Sequence, residues 1–257
     1  MTESVMKRAI DEIQLPPIES KKWEEKGDRL VLYADILGFK ERVYTQDYDA
    51  IRDKLISFRT KWNERMKTIL GEEELKFVQF SDTILIIAKG TDLDMLDKMT
   101  KGACVLMQTA MEEGLPMKGV ISKGPFLFNR DMELYLGKPL VDAYKLYDEL
   151  YYYGIVVHHS AENTVKNDLT LYSHEMIPLK KGSTAHIHVA WNLMNEDFTP
   201  GDRTEECKKW LETIEENVSG SPRIYVDNTR KVLKEDLDAF NKRSNEYIDI
   251  EGFTPLP

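Results

Sequence analysis

Apolar residues in this chain form either short continuous runs or longer stretches with helical spacing. Residues 29–36 are almost continuously apolar, which is typical of a central strand buried on both faces. Residues 47–70 place apolar side chains three and four positions apart, which predicts a long amphipathic helix. Two further apolar runs, 75–80 and 83–88, predict two strands joined by a hairpin turn. This part of the chain therefore predicts a strand, a helix and a hairpin in that order.

The following residues continue the alternation of strands and helices. Residues 93–113 predict a second long helix that ends at Gly114, and residues 116–128 predict a strand, a turn and another strand. A third helix is expected over 139–151 and a further strand over 155–158. The order β-α-ββ-α-β-(β)-α-β predicts an α/β (α+β) fold of the ferredoxin-like or palm-like kind.

Both ends of the chain are predicted to be helical. An amphipathic helix is expected over residues 3–14, because its apolar side chains lie on one side and two prolines follow it. Two surface helices are expected over 203–217 and 227–243. The chain is therefore divided into an N-terminal helical segment, a main domain and a helical C-terminal extension: 1–27, 28–190 and 191–257.

The composition narrows the classes of function. Of the 257 residues, 42% are hydrophobic and 31% are charged, which is ordinary for a soluble globular protein. The net charge of −10 argues against nucleic-acid binding, which normally needs a basic face. No apolar stretch reaches the length of a membrane span, and the two cysteines fit a reducing compartment. We therefore expect a cytoplasmic protein that binds neither nucleic acid nor membranes.

Two carboxylates stand inside otherwise apolar runs. Asp35 lies near the end of the first predicted strand, and Asp82 lies at the tip of the predicted hairpin. An ionised carboxylate among buried strands is costly unless it is paired or binds a cation. Hard oxygen ligands, here with the backbone carbonyl of Ile36, suit Mg²⁺ or Mn²⁺. The pair therefore predicts a site for two divalent ions of the kind that supports phosphoryl transfer.

Each aspartate alone also has a purely structural explanation. Aspartate is common as a helix cap, which could explain Asp35, and in hairpin turns, which could explain Asp82. Both occurring together, each flanked by apolar strand residues, favours the cation site. The turn after Asp35 leads into a helical segment, and the backbone N–H groups of residues 36–39, up to Phe39, are expected to hold a polyphosphate.

Four segments resemble those of class III nucleotidyl cyclases. Tyr-Ala-Asp-Ile-Leu-Gly-Phe at 33–39 is similar to the first metal-binding segment of that family, and Phe-Ser-Asp-Thr at 80–83 is similar to the second. Residues 118–125 are similar to the family strand Arg-x-Gly-Ile-x-x-Gly-Pro, and residues 137–146 are similar to the segment with its transition-state side chains. The resemblance covers about residues 28–190 and implies the cyclase fold, with Asp35 and Asp82 as metal ligands.

The positions that read the purine base in that family are apolar in this chain. Val78 replaces a lysine four residues before the second metal aspartate, and Leu134 replaces an acidic residue three before Gly137. An apolar side chain cannot make the polar contacts that select adenine. The pattern resembles the bacterial pyrimidine cyclases of the Pycsar antiphage systems, with Val78 and Leu134 at the base-binding positions.

The resemblance also implies contacts to the phosphates. The family's transition-state asparagine aligns with Val141 and its arginine with Lys145, which keeps the positive charge but lacks a bidentate fork. A one-residue gap would instead place Asp142 at the asparagine position. A fifth segment, residues 178–182, resembles the late Lys-Gly segment that touches the triphosphate in the family, and it contains Lys181. Lys145 is therefore the candidate catalytic residue and Lys181 a candidate phosphate contact.

The reaction implied by the resemblance is conversion of UTP to 3′,5′-cyclic UMP and diphosphate. Family members are homodimers with their sites at the interface, and the product would activate a separate effector protein in antiphage defence. A cytidylate cyclase acting on CTP and a catalytically degenerate cyclase-like dimer are alternatives. A diguanylate cyclase is disfavoured because the hairpin lacks Gly-Gly-Asp/Glu-Glu-Phe, and a haloacid-dehalogenase-like phosphatase because no second aspartate lies two residues after Asp35.

Overall fold

The computed structural model describes residues 23–69, 74–165 and 171–251. The helix predicted over residues 3–14 lies outside these ranges. The described chain forms one eight-stranded sheet with helices packed on both of its faces.

The sheet contains a βαββαβ core extended on one side. Its first four strands lie in the order β2-β3-β1-β4, and β6, β8 and β7 continue the sheet beyond β4. A short strand, β5, pairs with the outer end of β4. The strands are β1 (Lys26–Ile36), β2 (Leu75–Phe80), β3 (Thr83–Ala88), β4 (Met117–Asn129), β5 (Leu134–Gly137), β6 (Ile155–Val157), β7 (Tyr172–Leu179) and β8 (Gly182–Val189).

Within the described ranges seven helices surround the sheet, and a short 3₁₀ turn spans Trp191–Leu193. None of the helices in the described ranges is long and apolar enough to cross a membrane. The helices are α1 (Phe39–Thr45), α2 (Tyr48–Met66), α3 (Leu93–Glu112), α4 (Lys138–Glu149), α5 (His159–Val165), α6 (Thr204–Glu215) and α7 (Ser221–Glu251).

Strand β1 is central because its apolar residues are buried on both faces of the sheet. It pairs antiparallel with β3 over its second half and with β4 along its entire length. The turn predicted within 116–128 is wrong, since β4 is one continuous strand. The Gly-Pro dipeptide in this segment is typical of turns, but pairing with β1 from Ile36↔Met117 to Lys26↔Leu127 keeps the backbone extended.

Two apolar clusters lie on opposite faces of the sheet. The larger cluster joins alternate β1 residues such as Leu32 and Ala34 to α2 and α3. The smaller cluster contains Val31 and Tyr33 and is covered by α4, which contributes Tyr147. By this alternation, Asp35 lies on the face that α4 covers.

The palm-like α+β fold predicted from the sequence is confirmed. The long helices α2 and α3 and the hairpin β2–β3 lie where apolar spacing predicts them. The helices α6 and α7 also lie within the predicted C-terminal extension, but they are not simply surface helices. They bury side chains in the larger cluster, namely Cys207, Leu211, Ile214, Val226 and Leu233.

Candidate active site

The two predicted metal ligands converge because β1 and the β2–β3 hairpin are neighbours. Asp35 lies beside Thr83 in the antiparallel pairing of β1 with β3. The backbone N–H of Ile36 donates to the carbonyl oxygen of Asp82 at 3.0 Å, which joins the end of β1 to the hairpin turn. Ser81 has a positive φ of 58°, the conformation that turns the chain sharply before Asp82. The fold therefore brings both aspartates to one end of two adjacent strands.

The carboxylate of Asp35 is held by two hydroxyl groups. Tyr147 donates from its phenol to Oδ2 at 2.8 Å, and Thr83 donates from Oγ1 to Oδ1 at 3.2 Å. Burial raises the pKa of Asp35 above its ordinary value, and the negative charge of Asp82 adds to this rise. The hydrogen bonds from Tyr147 and Thr83 act in the opposite direction. The site therefore presents a fixed carboxylate whose negative charge is poorly solvated.

Lys118 is the buried cation nearest to this part of the sheet. It lies opposite Asp35 in the pairing of β1 with β4 and is only 2% exposed. Its ammonium donates to the carbonyl oxygen of Leu150 at 2.9 Å and lies 4.4 Å from the centre of the Tyr147 ring. Burial lowers the pKa of Lys118 to about 8, with a further contribution from Lys180. The ammonium of Lys118 therefore contacts a backbone carbonyl oxygen and the face of an aromatic ring.

The residues at this end of the sheet fit divalent cations. Asp35 and Asp82 offer hard oxygen atoms, and the charge of Asp82 raises the cost of negative charge on Asp35. Within the described ranges, no group of three or more His, Cys, Asp or Glu side chains gathers around one point. A cation here would therefore take other ligands from the backbone, water or a bound phosphate, as Mg²⁺ commonly does.

The turn after Asp35 offers fewer free backbone donors than the sequence suggests. Ile36 donates to Asp82, and the N–H of Leu37 donates to the carbonyl oxygen of Pro116 at 2.7 Å. Gly38 has a φ of 71°, which a residue with a side chain rarely adopts, and α1 starts at the next residue. The side chain of Phe39 is buried in the core, so this residue could reach a phosphate only through its N–H.

A cavity of about 570 Å³ adjoins this turn. Its wall includes Leu37 and Gly38 from the turn, Arg42 from α1, and Tyr153 and Tyr225 from the C-terminal half of the chain. The side chain of Arg42 donates to the carbonyl oxygen of Gly114 at 2.8 Å. The C-terminal helices thus reach the region immediately behind the predicted metal site.

The two predicted base-binding residues occupy different environments. Val78 is partly buried and pairs with Leu85 on the neighbouring strand β3, and Leu85 in turn pairs with Tyr33 on β1. It therefore lies on the same face of the sheet as Asp35. Leu134 lies on β5, where it pairs with Asn129 and is 46% exposed.

Both predicted phosphate-binding lysines are exposed, and Lys145 points away from Asp35 of its own chain. Lys145 is exposed on α4, two residues before Tyr147. Residues two apart on a helix point in nearly opposite directions, so Lys145 faces outward while Tyr147 faces Asp35. Lys181 is exposed in the turn between β7 and β8. Its neighbour Lys180 is the one that contacts α4, through an ion pair with Asp148 at 2.8 Å.

Sequence reasoning missed the residues that hold Asp35 in place. Tyr147, Lys118 and Thr83 are not among the site residues predicted from the sequence. The sequence did carry a signal for Lys118, because residues 118–125 align with a family strand that begins with a basic residue. In the structure Lys118 is buried opposite a predicted metal ligand, which is unusual for a lysine. The contact between Tyr147 and Asp35 had no such signal, because it spans 112 residues of sequence.

No protein-family model and no curated protein matches this chain. Among solved structures, the catalytic core of a rhodopsin-guanylyl cyclase with converted specificity, in complex with ATPαS, is similar at a TM-score of 0.51 and 13% identity, covering 64% of this chain and 98% of that chain. The guanylate cyclase domain of RhGC from Catenaria anguillulae, in complex with GTP, is similar at a TM-score of 0.51 and 12% identity. This match covers 65% of this chain and 98% of that chain. At such identity the likeness shows the fold alone. The chain therefore has the palm-like fold of class III nucleotidyl cyclase domains.

Proposed function

We propose that this chain is a nucleotidyl cyclase that converts a pyrimidine nucleoside triphosphate, preferentially UTP, into a 3′,5′-cyclic monophosphate and diphosphate. The observation that carries the proposal is the convergence of Asp35 and Asp82 on a cyclase-like fold. In the described contacts neither aspartate forms an ion pair, and Lys118, whose charge favours the ionised form of Asp35, donates its hydrogen bond to a backbone carbonyl. Such a pair is suited to binding cations, and through those cations an anionic substrate.

The chemistry requires an in-line displacement at the α-phosphorus. The ribose 3′-oxygen forms a bond to that phosphorus, the bond to diphosphate breaks, and the hydroxyl proton passes to solvent. Divalent cations bound by Asp35 and Asp82 would lower the pKa of the 3′-hydroxyl and neutralise the departing diphosphate. The chain's own part is positioning: Tyr147 and Thr83 hold Asp35, and Gly38 leaves room for a triphosphate beside the turn.

The outward direction of Lys145 supports a homodimer with shared sites. Because this lysine faces away from Asp35 of its own chain, it would reach phosphates only at a site completed by a second copy. Large apolar side chains are also exposed to solvent and are available to pack against a partner: Phe80 at 83%, Tyr48 at 79% and Leu136 at 58%. In this arrangement Asp35 and Asp82 come from one chain, and Lys145 and Lys181 would supply positive charge from the other.

The apolar character of Val78 and Leu134 supports a pyrimidine base. Neither side chain can donate or accept a hydrogen bond, so neither can pair with the polar edge of adenine or guanine. Val78 lies beside Leu85 and Tyr33 on the face of the sheet that carries Asp35, so its surroundings are apolar. A base at this position would meet no charged reader.

We infer that the product acts on a separate effector that binds the cyclic nucleotide, in a defence response against phage. This assignment rests on the resemblance to Pycsar cyclases at Val78 and Leu134. UTP is favoured over CTP by that resemblance, and both nucleotides belong in the test.

The decisive experiment incubates the purified protein with each of the four ribonucleoside triphosphates and Mn²⁺ and identifies the products by mass. We expect a cyclic pyrimidine monophosphate and diphosphate in equal amounts. Asp35→Ala and Asp82→Ala should each lower turnover by about a hundredfold or more, because each removes a cation ligand. Asp28→Ala is the matched control, since Asp28 is exposed at the other end of the same strand.

Other products would change the assignment in defined ways. Exclusive formation of cyclic AMP would contradict the interpretation of Val78 and Leu134. Binding of nucleotide without turnover of any triphosphate would favour a degenerate cyclase-like dimer, for which Val141 at the family's asparagine position is the supporting observation.

A further inference from the structure

The hydroxyl group of Tyr147 is in direct contact with a predicted metal ligand. It donates to Oδ2 of Asp35 at 2.8 Å, and the Tyr147 side chain is buried in the cluster between α4 and the sheet. A carboxylate on a strand end can rotate about its side-chain bonds, and a fixed hydrogen bond removes that freedom. The orientation of Asp35 therefore depends on where α4 places Tyr147.

Lys118 joins Tyr147 to the segment that follows α4. Its ammonium lies 4.4 Å from the centre of the Tyr147 ring and donates to the carbonyl oxygen of Leu150 at 2.9 Å. The same ammonium lies 5.6 Å from the centre of the Tyr225 ring on α7. One buried cation thus contacts the residue that holds Asp35, the end of α4 and the C-terminal extension.

The C-terminal helix α7 holds the same segment through side-chain hydrogen bonds. Asn228 donates from Nδ2 to the carbonyl oxygen of Tyr151 at 2.7 Å. Thr229 accepts at Oγ1 from the backbone N–H of Tyr153 at 2.8 Å, in a fully buried position. The Tyr225 ring packs against the rings of both tyrosines, with centroids 4.5 and 5.5 Å away. Helix α7 therefore fixes the residues that immediately follow α4.

We propose that Tyr147 is a positioning residue that orients the Asp35 carboxylate for cation binding, and that α7 supports it by anchoring residues 150–153. The C-terminal extension is then part of the structure that prepares the site. The inference rests on the proposed function only in treating Asp35 as a cation ligand, and it needs no particular nucleotide.

The test measures Mn²⁺ binding to the full chain without nucleotide, by the loss of the free-ion signal in electron paramagnetic resonance. Tyr147→Phe keeps the ring over Lys118 and removes only the hydroxyl. We expect the Mn²⁺ dissociation constant to rise about tenfold, the size of effect typical for loss of one hydrogen bond to a charged group. Tyr144→Phe is the matched control, because Tyr144 is a 56% exposed tyrosine on the same helix, and its constant should stay within about twofold.

A second pair of variants tests the contribution of α7. Asn228→Ala should raise the Mn²⁺ dissociation constant about threefold, and Lys231→Ala, an exposed site on the same helix, should leave it unchanged. If α7 acts through Tyr147, the double variant Tyr147→Phe/Asn228→Ala should bind Mn²⁺ no more weakly than Tyr147→Phe alone. Additive losses would overturn the proposed path from α7 to Asp35.

The outcomes separate this inference from the proposed function. An unchanged or lower Mn²⁺ dissociation constant in Tyr147→Phe would overturn the positioning role, whatever the enzyme does with nucleotides. If Mn²⁺ binding is lost in Asp35→Ala but the wild-type protein turns over no triphosphate, the cyclase activity is contradicted. The positioning role of Tyr147 would then still be decided by the Mn²⁺ dissociation constant of Tyr147→Phe. Wild-type protein that binds no more Mn²⁺ than Asp35→Ala would overturn both.

Discussion

At the scale of single residues, the proposed site combines two kinds of side chain: charged ones in apolar surroundings and apolar ones at positions where a charge is expected. Asp35 and Asp82 carry charge into apolar surroundings, which marks them in the sequence. Val78 and Leu134 are informative because they lack the charge that purine-specific cyclases place there. Under the proposed function, residue identity at these four positions would determine both what the site binds and what it rejects.

Substrate preference can be altered at the two apolar positions. The double variant Val78→Lys/Leu134→Glu introduces a donor and an acceptor, and we expect the ratio of ATP to UTP turnover to rise about tenfold or more. Competition assays with both nucleotides, read by mass, measure this ratio directly. Val78→Leu/Leu134→Met changes the same positions without charge and should keep the pyrimidine preference. A ratio that stays constant in the charged variant would show that these positions do not read the base.

At the scale of elements, local pattern predicted the pieces that depend on neighbours in sequence. The apolar run of β1 and the helical spacing of α2 are such pieces, and both lie where expected. The contact of Tyr147 with Asp35 depends on how α4 packs on β1, which no short stretch of sequence encodes. The continuity of β4 was missed for a related reason, because pairing with a long partner strand outweighed the turn preference of its Gly-Pro pair.

Helix α7 is joined to strand β8 by a buried ion pair. His188 and Asp236 are each 1% exposed, and Nε2 lies 2.7 Å from Oδ1. Burial alone would lower the pKa of His188, but the charge and hydrogen bond of Asp236 raise it above 6.5. The pair therefore stabilises the fold fully below pH 6.5, and this contribution is lost as the pH rises through the raised pKa of His188.

This ion pair gives α7 docking a defined pH dependence. Asp236→Asn should lower the free energy of unfolding by about 3 kcal/mol at pH 6, because it leaves the imidazolium without its counter-charge. The difference from wild type should shrink as the pH is raised above 6.5. Urea unfolding followed by circular dichroism at several pH values measures both quantities, with Asp238→Asn at an exposed site of α7 as the control. A difference that is constant with pH would rule out a protonated His188.

At the scale of the whole molecule, the direction of Lys145 determines what a complete site needs. Tyr147 faces Asp35 within one chain, and Lys145 faces outward from the same helix. A single chain therefore presents the candidate cation ligands on one side of α4 and a candidate phosphate contact on the other. This division fits a two-fold dimer in which each site draws on both copies.

Mixing two inactive variants tests whether the sites are shared. Asp35→Ala and Lys145→Ala should each be inactive alone. When they are co-refolded in equal amounts, half of the dimers would be mixed and each would contain one intact site, so turnover should return to about a quarter of the wild-type value. Co-refolded Asp35→Ala and Asp82→Ala is the control that should stay inactive. Failure of the first mixture to regain turnover would place both residues in the same chain's site.

The opposite orientations of Tyr147 and Lys145 on α4 have a consequence for a shared-site dimer. One rigid helix would orient a cation ligand at one site and supply charge to the phosphates at the other. Nucleotide that draws Lys145 toward it would then shift Tyr147, and with it Asp35, in the opposite site. Substrate bound at one site would then change the affinity of the other site through a single helix. The rate of cyclic nucleotide formation would show positive or negative cooperativity in substrate concentration, which two independent sites would not show.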